Sequence, residues 1–288
     1  MVAAPRSTRS PRLPLFPGLL CILLLPITLV GQTQPGQAAG TPPSPTLTTD
    51  AERETFLKKA NIVRARPAGK GVTNTLRVTL SDGTVTHDAS VQTIEEAKAR
   101  FETPYGTELN FKDSWRFNVA AYRIDRLLGL EMTPPSVERR YRSKASSFTW
   151  WIDDVLMDEQ ERLRTKQSAP DTDDWNQQMW ITRLFDQLIA NADRNLTNLL
   201  IDKQWTIWMI DHSRAFRTNP APAVPGNLSK VERRLLDRLR QLNADGLKTA
   251  VGDYLEPAQI TTLLQRRDRI VAHFDAGGAD LVFDRRAR

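Results

Sequence analysis

Apolar residues recur at helical spacing in two long stretches of the chain. Phe117, Ala120, Ala121, Ile124, Leu127 and Leu128 fall on one face of a helix predicted over residues 117–130. Gly129 sits near its end, and Pro134-Pro135 blocks continuation. Met179, Ile181, Leu184, Phe185, Leu188 and Ile189 do the same over residues 175–190. Further helices are predicted over 51–60 and 155–166 and, after a loop marked by Pro220, Pro222 and Pro225, over 229–242, 245–254 and 257–274. Shorter runs read as strands at 62–66, 75–80 and 84–93, the last two joined by the turn Ser81-Asp82-Gly83. Residues 136–142 and 147–152 read as two strands or an extended bridge, where a hinge would fall. Leu199-Leu200-Ile201 and the run from Trp205 to Ile210 flank the polar turn Asp202-Lys203-Gln204 and read as a hairpin. A β-rich portion, a connection and a helical portion in this order predict an α+β, bilobal plan. The boundaries are an N-terminal lobe over 61–142, a C-terminal lobe over 143–276 and a tail over 277–288.

The N-terminal pattern is different. Arg6, Arg9 and Arg12 precede an apolar run over residues 13–30, and small and polar residues follow, including Gln37-Ala38-Ala39-Gly40. This is the layout of an export signal. Pro14, Pro17 and Pro26 disfavour a stable transmembrane helix. A cleaved signal over residues 1–40 and a periplasmic or secreted protein are therefore expected. An uncleaved segment is the alternative, and membrane attachment is expected only through it. Residues 41–60 are a linker and a short helix, with the Pro-, Gly- and Thr-rich stretch 32–49 reading as disordered.

The 288 residues suffice for one two-lobed domain or two small ones. The formal charge of +6 falls to about +3 without Arg6, Arg9 and Arg12, too little to argue for nucleic acid. Basic residues gather late, at Arg233-Arg234, Arg238, Arg240, Arg266-Arg267 and Arg285-Arg286; they read as solvated helix faces, with a phosphate or acidic-substrate patch as the alternative. The single cysteine, Cys21, lies in the apolar run behind Leu19-Leu20, not behind the small residue of a lipoprotein processing site. The mature chain then has no thiolate nucleophile, disulfide or Cys-bound zinc. His87, His212 and His273 are widely separated, without metal-ligand spacing.

The chemistry concentrates in two short segments, NADRNLTNLLI at 191–201 and WMIDHSRAF at 208–216. Asp193 is followed five positions on by Asn198, and Asp211 stands at the far end of the hairpin. A hairpin places the loops at its two ends side by side, so these three side chains can reach one metal–phosphate cluster. Kinase-fold phosphotransferases set their catalytic Asp, metal-side Asn and metal-binding Asp in this order. Phosphoryl transfer asks a protein mainly for positioning and charge neutralisation, and Mg²⁺ accepts carboxylate and amide oxygens. The alternative is a surface hairpin with polar ends, because Asp and Asn are common turn residues.

DSWRFNVAAYRIDRLLGLEMTPPSVERR, at 113–140, resembles the helix and following strand of the secretory-pathway kinases, the family of the Golgi casein kinase and the four-jointed kinases. LFDQLIANADRN at 184–195 resembles that family's catalytic loop, and IDHSRAF at 210–216 its metal-binding segment with a trailing Arg and Phe. The resemblance spans about residues 75–216, while HipA-type and phosphatidylinositol kinases share only the looser plan. It implies a kinase-like bilobal fold, ATP, a divalent ion such as Mg²⁺ or Mn²⁺, and transfer to a hydroxyl acceptor, a protein Ser/Thr or a sugar. Asp193 matches the catalytic Asp, Asn198 the metal-side amide, and Asp211 the metal-binding Asp.

Two positions depart from the family pattern. Asn118 stands where the family's helix carries a glutamate, and Gln92 stands near the place of the strand lysine that contacts the nucleotide phosphates. That ion pair positions the phosphates in an active protein kinase. Losing both charges leaves no orphan, and Gln92 and Asn118 can still hydrogen-bond each other. Lys70, in Gly69-Lys70-Gly71, is the nearest replacement cation, with Lys112 and Arg116 as others. The leading expectation is an active phosphotransferase; the alternative is a pseudokinase that binds or scaffolds. A third reading is an unrelated helical binding domain with a chance hairpin. His212 reads as a hydrogen-bonded loop residue or, alternatively, as an acid/base. The tryptophans read as core or interface residues, with Trp150-Trp151 alternatively a platform for a sugar or peptide.

Overall fold

The computed structural model describes residues 46–69, 75–103, 106–191 and 194–285. The chain divides into Met1–Pro43 and Ser44–Arg288, and all described residues lie in the second unit. The expected signal over 1–40, most of the linker, Lys70, Asp193 and Arg286 lie outside the described residues. Among those described, no helix is long and apolar enough to cross a membrane.

Thr49 opens the first helix, α1 (Asp50–Lys59), with a capping box: its hydroxyl accepts from the Glu52 amide, and the Thr49 amide donates to the Glu52 carboxylate at 2.9 Å. Strands β1 (Asn61–Pro67), β2 (Leu76–Ser81) and β3 (Thr86–Gln92) follow as an antiparallel meander. A hairpin comes next, β4 (Glu95–Thr103) and β5 (Gly106–Ser114), whose strands, among the described residues, pair only with each other. After helix α2 (Arg116–Leu128), strands β6 (Ser136–Tyr141) and β7 (Lys144–Trp150) complete a five-stranded sheet of order β1-β2-β3-β7-β6.

The period-two alternation of these strands decides what each face does. Val78, Leu80, Ala89, Val91, Val137 and Phe148 point to one side and pack with Phe56 and Leu57 of α1 in a small core. Their neighbours in sequence, Arg77, Ser90, Gln92 and Thr149, line a cleft on the other side. The sheet is therefore apolar toward α1 and polar toward the cleft.

Helix α2 belongs to the larger core. Gly129, left-handed at φ 59°, ends it as its place near the end predicts. Asp125, fully buried, accepts the amides of Glu131, Met132 and Thr133 at 2.9–3.0 Å and pairs with Arg126. This fixes the turn after α2, and the Met132 carbonyl there receives the Met209 amide at 2.8 Å.

The helical part holds α3 (Glu159–Thr165), α4 (Thr172–Leu188), α5 (Arg233–Gln241), α6 (Ala244–Val251) and α7 (Pro257–Gly277). It also holds a three-stranded sheet, with β8 (Val155–Asp158) beside β9 (Leu199–Asp202) and β9 beside β10 (Ile207–Met209), and a short parallel pair, β11 (Val231–Glu232) with β12 (Val282–Phe283). The helix predicted over 155–166 starts late. Its first four residues form β8, which pairs with β9, and the Asp158 side chain then caps α3 by accepting the Glu161 amide at 2.8 Å. The buried Gln178 of α4 sets the hairpin in place: it accepts the Ile207 amide at 2.7 Å and donates to the Trp205 carbonyl at 3.0 Å.

Candidate active site

A cleft of about 1470 Å³ opens between the polar face of the five-stranded sheet and the β9–β10 hairpin. Asn198 and Asp211, on the two ends of the hairpin, both line it, with Gln92 and Asn118 facing them. Adjacency of the loops is imposed by strand pairing, Met209 with Leu199, and continued by the Ile210 amide, which donates to the Asn198 carbonyl at 3.0 Å.

Gln92 and Asn118 meet as their sequence positions predict. The Asn118 amide donates to Gln92 Oε1 at 2.5 Å, and Gln92 Nε2 donates to Asp211 Oδ1 at 3.1 Å. Asn118 Oδ1 accepts the His212 amide at 2.8 Å. Both amide side chains are buried. The sheet, α2 and the segment after the hairpin are thus tied by a neutral network. Asp211 itself is left-handed at φ 54°, a conformation that costs a non-glycine residue on the order of 1 kcal/mol or more and that persists only where neighbours enforce it.

A second tie joins β5 to the same segment. The Ser114 amide donates to the Ser213 carbonyl at 2.8 Å, and the Ser213 hydroxyl bonds the Asp113 carboxylate. Asp113 is 6% exposed and lines the cleft, yet its Oδ1 has no hydrogen-bond partner among the described residues. Burial, with the Asp211 charge adding to it, pushes the Asp113 carboxyl above its ordinary value; Ser213 and Arg214 pull the other way.

Beneath the cleft, Asp186 and Arg194 form a buried two-point ion pair at 2.8 and 3.0 Å. Asp186 also accepts from Asn191 at 2.9 Å, and Arg194 donates to the Ile210 carbonyl at 2.7 Å. One pair therefore joins α4, the loop that contains Asp193 and the residue before Asp211. His212 is buried against Phe185, and burial, reinforced by the Arg194 charge, holds it well below the usual imidazole range. It is neutral and does not line the cleft, which removes the acid/base alternative; its contribution is the backbone amide.

The exit from the site is held by α7. Gln259 donates to the Phe216 carbonyl at 3.1 Å. Arg266, fully buried with its pKa lowered by burial to about 10, donates to the carbonyls of Leu188, Arg217 and Asn219 at 2.6–2.8 Å. Phe216 packs against Phe117 of α2 with ring centres 5.4 Å apart, and its amide reaches the Ile189 carbonyl at 2.6 Å. Arg214 and Arg217 both grip Glu108 of β5, whose carboxyl they hold below its ordinary value against the upward pull of burial.

Of the cations expected to replace the missing lysine, Lys112 pairs with Glu256 and Arg116 donates to the Asp253 carbonyl, and neither lines the cleft. The arginines that do line it, among the described residues, are Arg77, Arg164 and Arg214. Arg77 lies over the Trp151 ring at 4.2 Å and pairs with Asp88. Trp150 stacks on His87 with centres 3.6 Å apart. Sequence reasoning missed Asp113, Asp186, Arg194 and Arg77. Asp186 and Arg194 both lie inside the quoted catalytic-loop string, eight positions apart, and that string was the available signal.

No protein-family model matches the sequence, and no curated protein does. Solved structures do. The structure of hydra Fam20 with sugar superposes with a TM-score of 0.62 at 16% identity, over 84% of this chain and 95% of that one. The Golgi casein kinase with Mn/ADP bound gives 0.58 at 14% identity, over 82% of this chain and 78% of that one. The chain has the kinase-like fold of these proteins, a β-rich N-terminal part and a helical C-terminal part, as the motif resemblance implied.

Proposed function

We propose that the protein is a phosphotransferase that binds ATP with Mg²⁺ or Mn²⁺ and passes the terminal phosphoryl group to a hydroxyl of a protein or sugar. The observation that carries this reading is the convergence of Asp211 and Asn198, from opposite ends of one hairpin, on a single cleft. Their carboxylate and amide oxygens are the hard donors a divalent ion selects, and the partnerless buried Oδ1 of Asp113 is a further one. Asp211 would hold the ion with Asn198 assisting; the ion, when bound, neutralises phosphate charge. Trp151, Ile152, Leu200 and Ile210 on the cleft walls offer apolar surface for a base. Asp193 keeps the role given by its motif: it takes the acceptor hydroxyl's proton while the acceptor oxygen bonds to the γ-phosphorus. The bond from that phosphorus to the β–γ bridging oxygen then breaks, and ADP leaves. The Mn/ADP and sugar in the two similar structures support this choice of ligands. The N-terminal apolar run supports an exported, periplasmic or secreted, protein.

One observation favours a second reading, a pseudokinase: the Gln92–Asn118 contact is neutral where an ion pair would grip the phosphates. Two measurements on the full chain separate the readings. Nucleotide with Mg²⁺ or Mn²⁺, at about a hundred times its dissociation constant, should stabilise the fold by about 2.7 kcal/mol. Labelled phosphate should then appear on a hydroxyl acceptor or on water. Stabilisation without any transfer selects the pseudokinase, and the absence of both effects defeats the phosphotransferase.

A further inference from the structure

Asn118 and Asp211 together offer a divalent ion in the cleft one carboxylate. Asn118 cannot neutralise a divalent ion, and its side chain is already committed to Gln92 and the His212 amide. Asp211 offers a single negative charge, and one of its oxygens accepts from Gln92. Hard divalent ions select anionic oxygen, and such sites use one or two carboxylates beside the substrate phosphates, so a second carboxylate would strengthen this one.

Asp113, from the β4–β5 hairpin, is the candidate. It lines the same cleft and is almost wholly buried. A buried carboxylate oxygen without a partner is costly, and native structures retain one where something else satisfies it. Its backbone is fixed on both sides of Ser114: the Ser114 amide holds the Ser213 carbonyl, and the Trp115 amide donates to the Ile94 carbonyl at 2.8 Å. The Ser213 hydroxyl occupies the rest of the carboxylate and leaves Oδ1 over. Ser213 is two residues from Asp211, so the same segment carries one candidate ligand and orients the other.

Building on the phosphotransferase reading, we propose that Asp113 is the second carboxylate ligand of the divalent ion held by Asp211, supplied from β5.

The test titrates the full chain with MnCl2, reading free Mn²⁺ by electron paramagnetic resonance, alone and with ADP. Asp113→Asn should bind Mn²⁺ at least about tenfold more weakly than the parent, the lower end of what even outer-sphere changes around a metal cost. Its metal-free melting temperature should hold or rise, because a buried charge with an unpartnered oxygen is gone. Asp211→Asn serves as the reference for a lost ligand. If Asp113→Asn binds Mn²⁺ as the parent does while Asp211→Asn does not, the role of Asp113 is wrong and the phosphotransferase reading stands. If the parent binds no Mn²⁺ with or without ADP, both fall. Should Asp113→Asn not fold, carboxyl-¹³C aspartate labelling of the parent decides: saturating Mn²⁺ must broaden the Asp113 signal together with that of Asp211. An Asp113 signal that stays sharp overturns the proposal.

Discussion

Arg194→Met tests how the two loops of the site are held together. The guanidinium bonds both Asp186 oxygens and the Ile210 carbonyl, and the two side chains are 11% and 8% exposed. Methionine keeps the apolar stem and removes every donor. Asp186 is then left as a buried charge with Asn191 as its remaining side-chain donor. Removing one partner of such a pair costs about 3–5 kcal/mol. At about 2–4 °C per kcal/mol for a body of this size, the melting temperature should fall by about 6–20 °C. Asp186→Leu added to Arg194→Met removes the orphan charge, and the double variant should recover at least half of that loss. Urea unfolding followed by tryptophan fluorescence measures all three proteins, and nucleotide-dependent stabilisation reports the site separately. A single-variant cost below about 1 kcal/mol would place the pair with solvent-exposed ion pairs and refute its assigned role. A double variant as unstable as the single one would show that the carbonyl bond, not the charge pairing, carries the effect.

Asp211→Asn should abolish metal-dependent nucleotide binding in a thermal-shift assay while the fold persists, whereas Asp193→Asn should keep binding and lose phosphate transfer; equal Mg²⁺ and ATP binding by Asp211→Asn and the parent would sink the metal role. Asn118→Glu alone should destabilise the protein, because it adds a buried charge beside Asp211 and Asp113, and Gln92→Lys with it should restore the melting temperature and tighten ATP binding. A double variant less stable than Asn118→Glu would contradict this geometry. Glu108 predicts an acid response. Its folded pKa is depressed, so its contribution is complete above the unfolded value near 4.5 and is lost as pH falls through the folded value. Hydrogen exchange in β4–β5 should rise in that acid range, and Glu108→Gln should exchange faster at neutral pH with a flatter acid dependence.

The parts of the fold written in periodic patterns were legible. The faces of α2 and α4, the β2–β3 turn and the β9–β10 hairpin stand where alternation and helical spacing put them. The Gln92–Asn118 contact was legible as well, because two charges missing together imply two positions that touch. The β4–β5 hairpin was not. Its sequence, EEAKARFETPYGTELNFKDS, carries few apolar residues, since its strands pair only with each other and stay largely exposed. Asp113 was missed for the same reason. Its chemistry depends on Ser213 and Asp211, about a hundred positions away, and no local pattern marks a carboxylate that is buried by tertiary contact. The start of α3 was misplaced because Val155 to Asp158 satisfy helical and strand spacing equally, and pairing with β9 decides between them.

The way α7 grips the chain beyond Asp211 sets the time at which this protein acquires a site at all. Gln259 and Arg266 hold the carbonyls of Phe216, Arg217 and Asn219, and Asn118 meets His212 across 94 positions. A nascent chain carrying only the sheet and α2 has the polar walls but no floor. At about 5–20 residues per second, the stretch from Asp113 to Arg266 takes about 8–30 s to emerge from a ribosome. On the proposed function, a divalent ion or nucleotide should not template the fold during that interval. Ligand capture belongs to the finished polypeptide, and a chain cut before α7 should be blind to both.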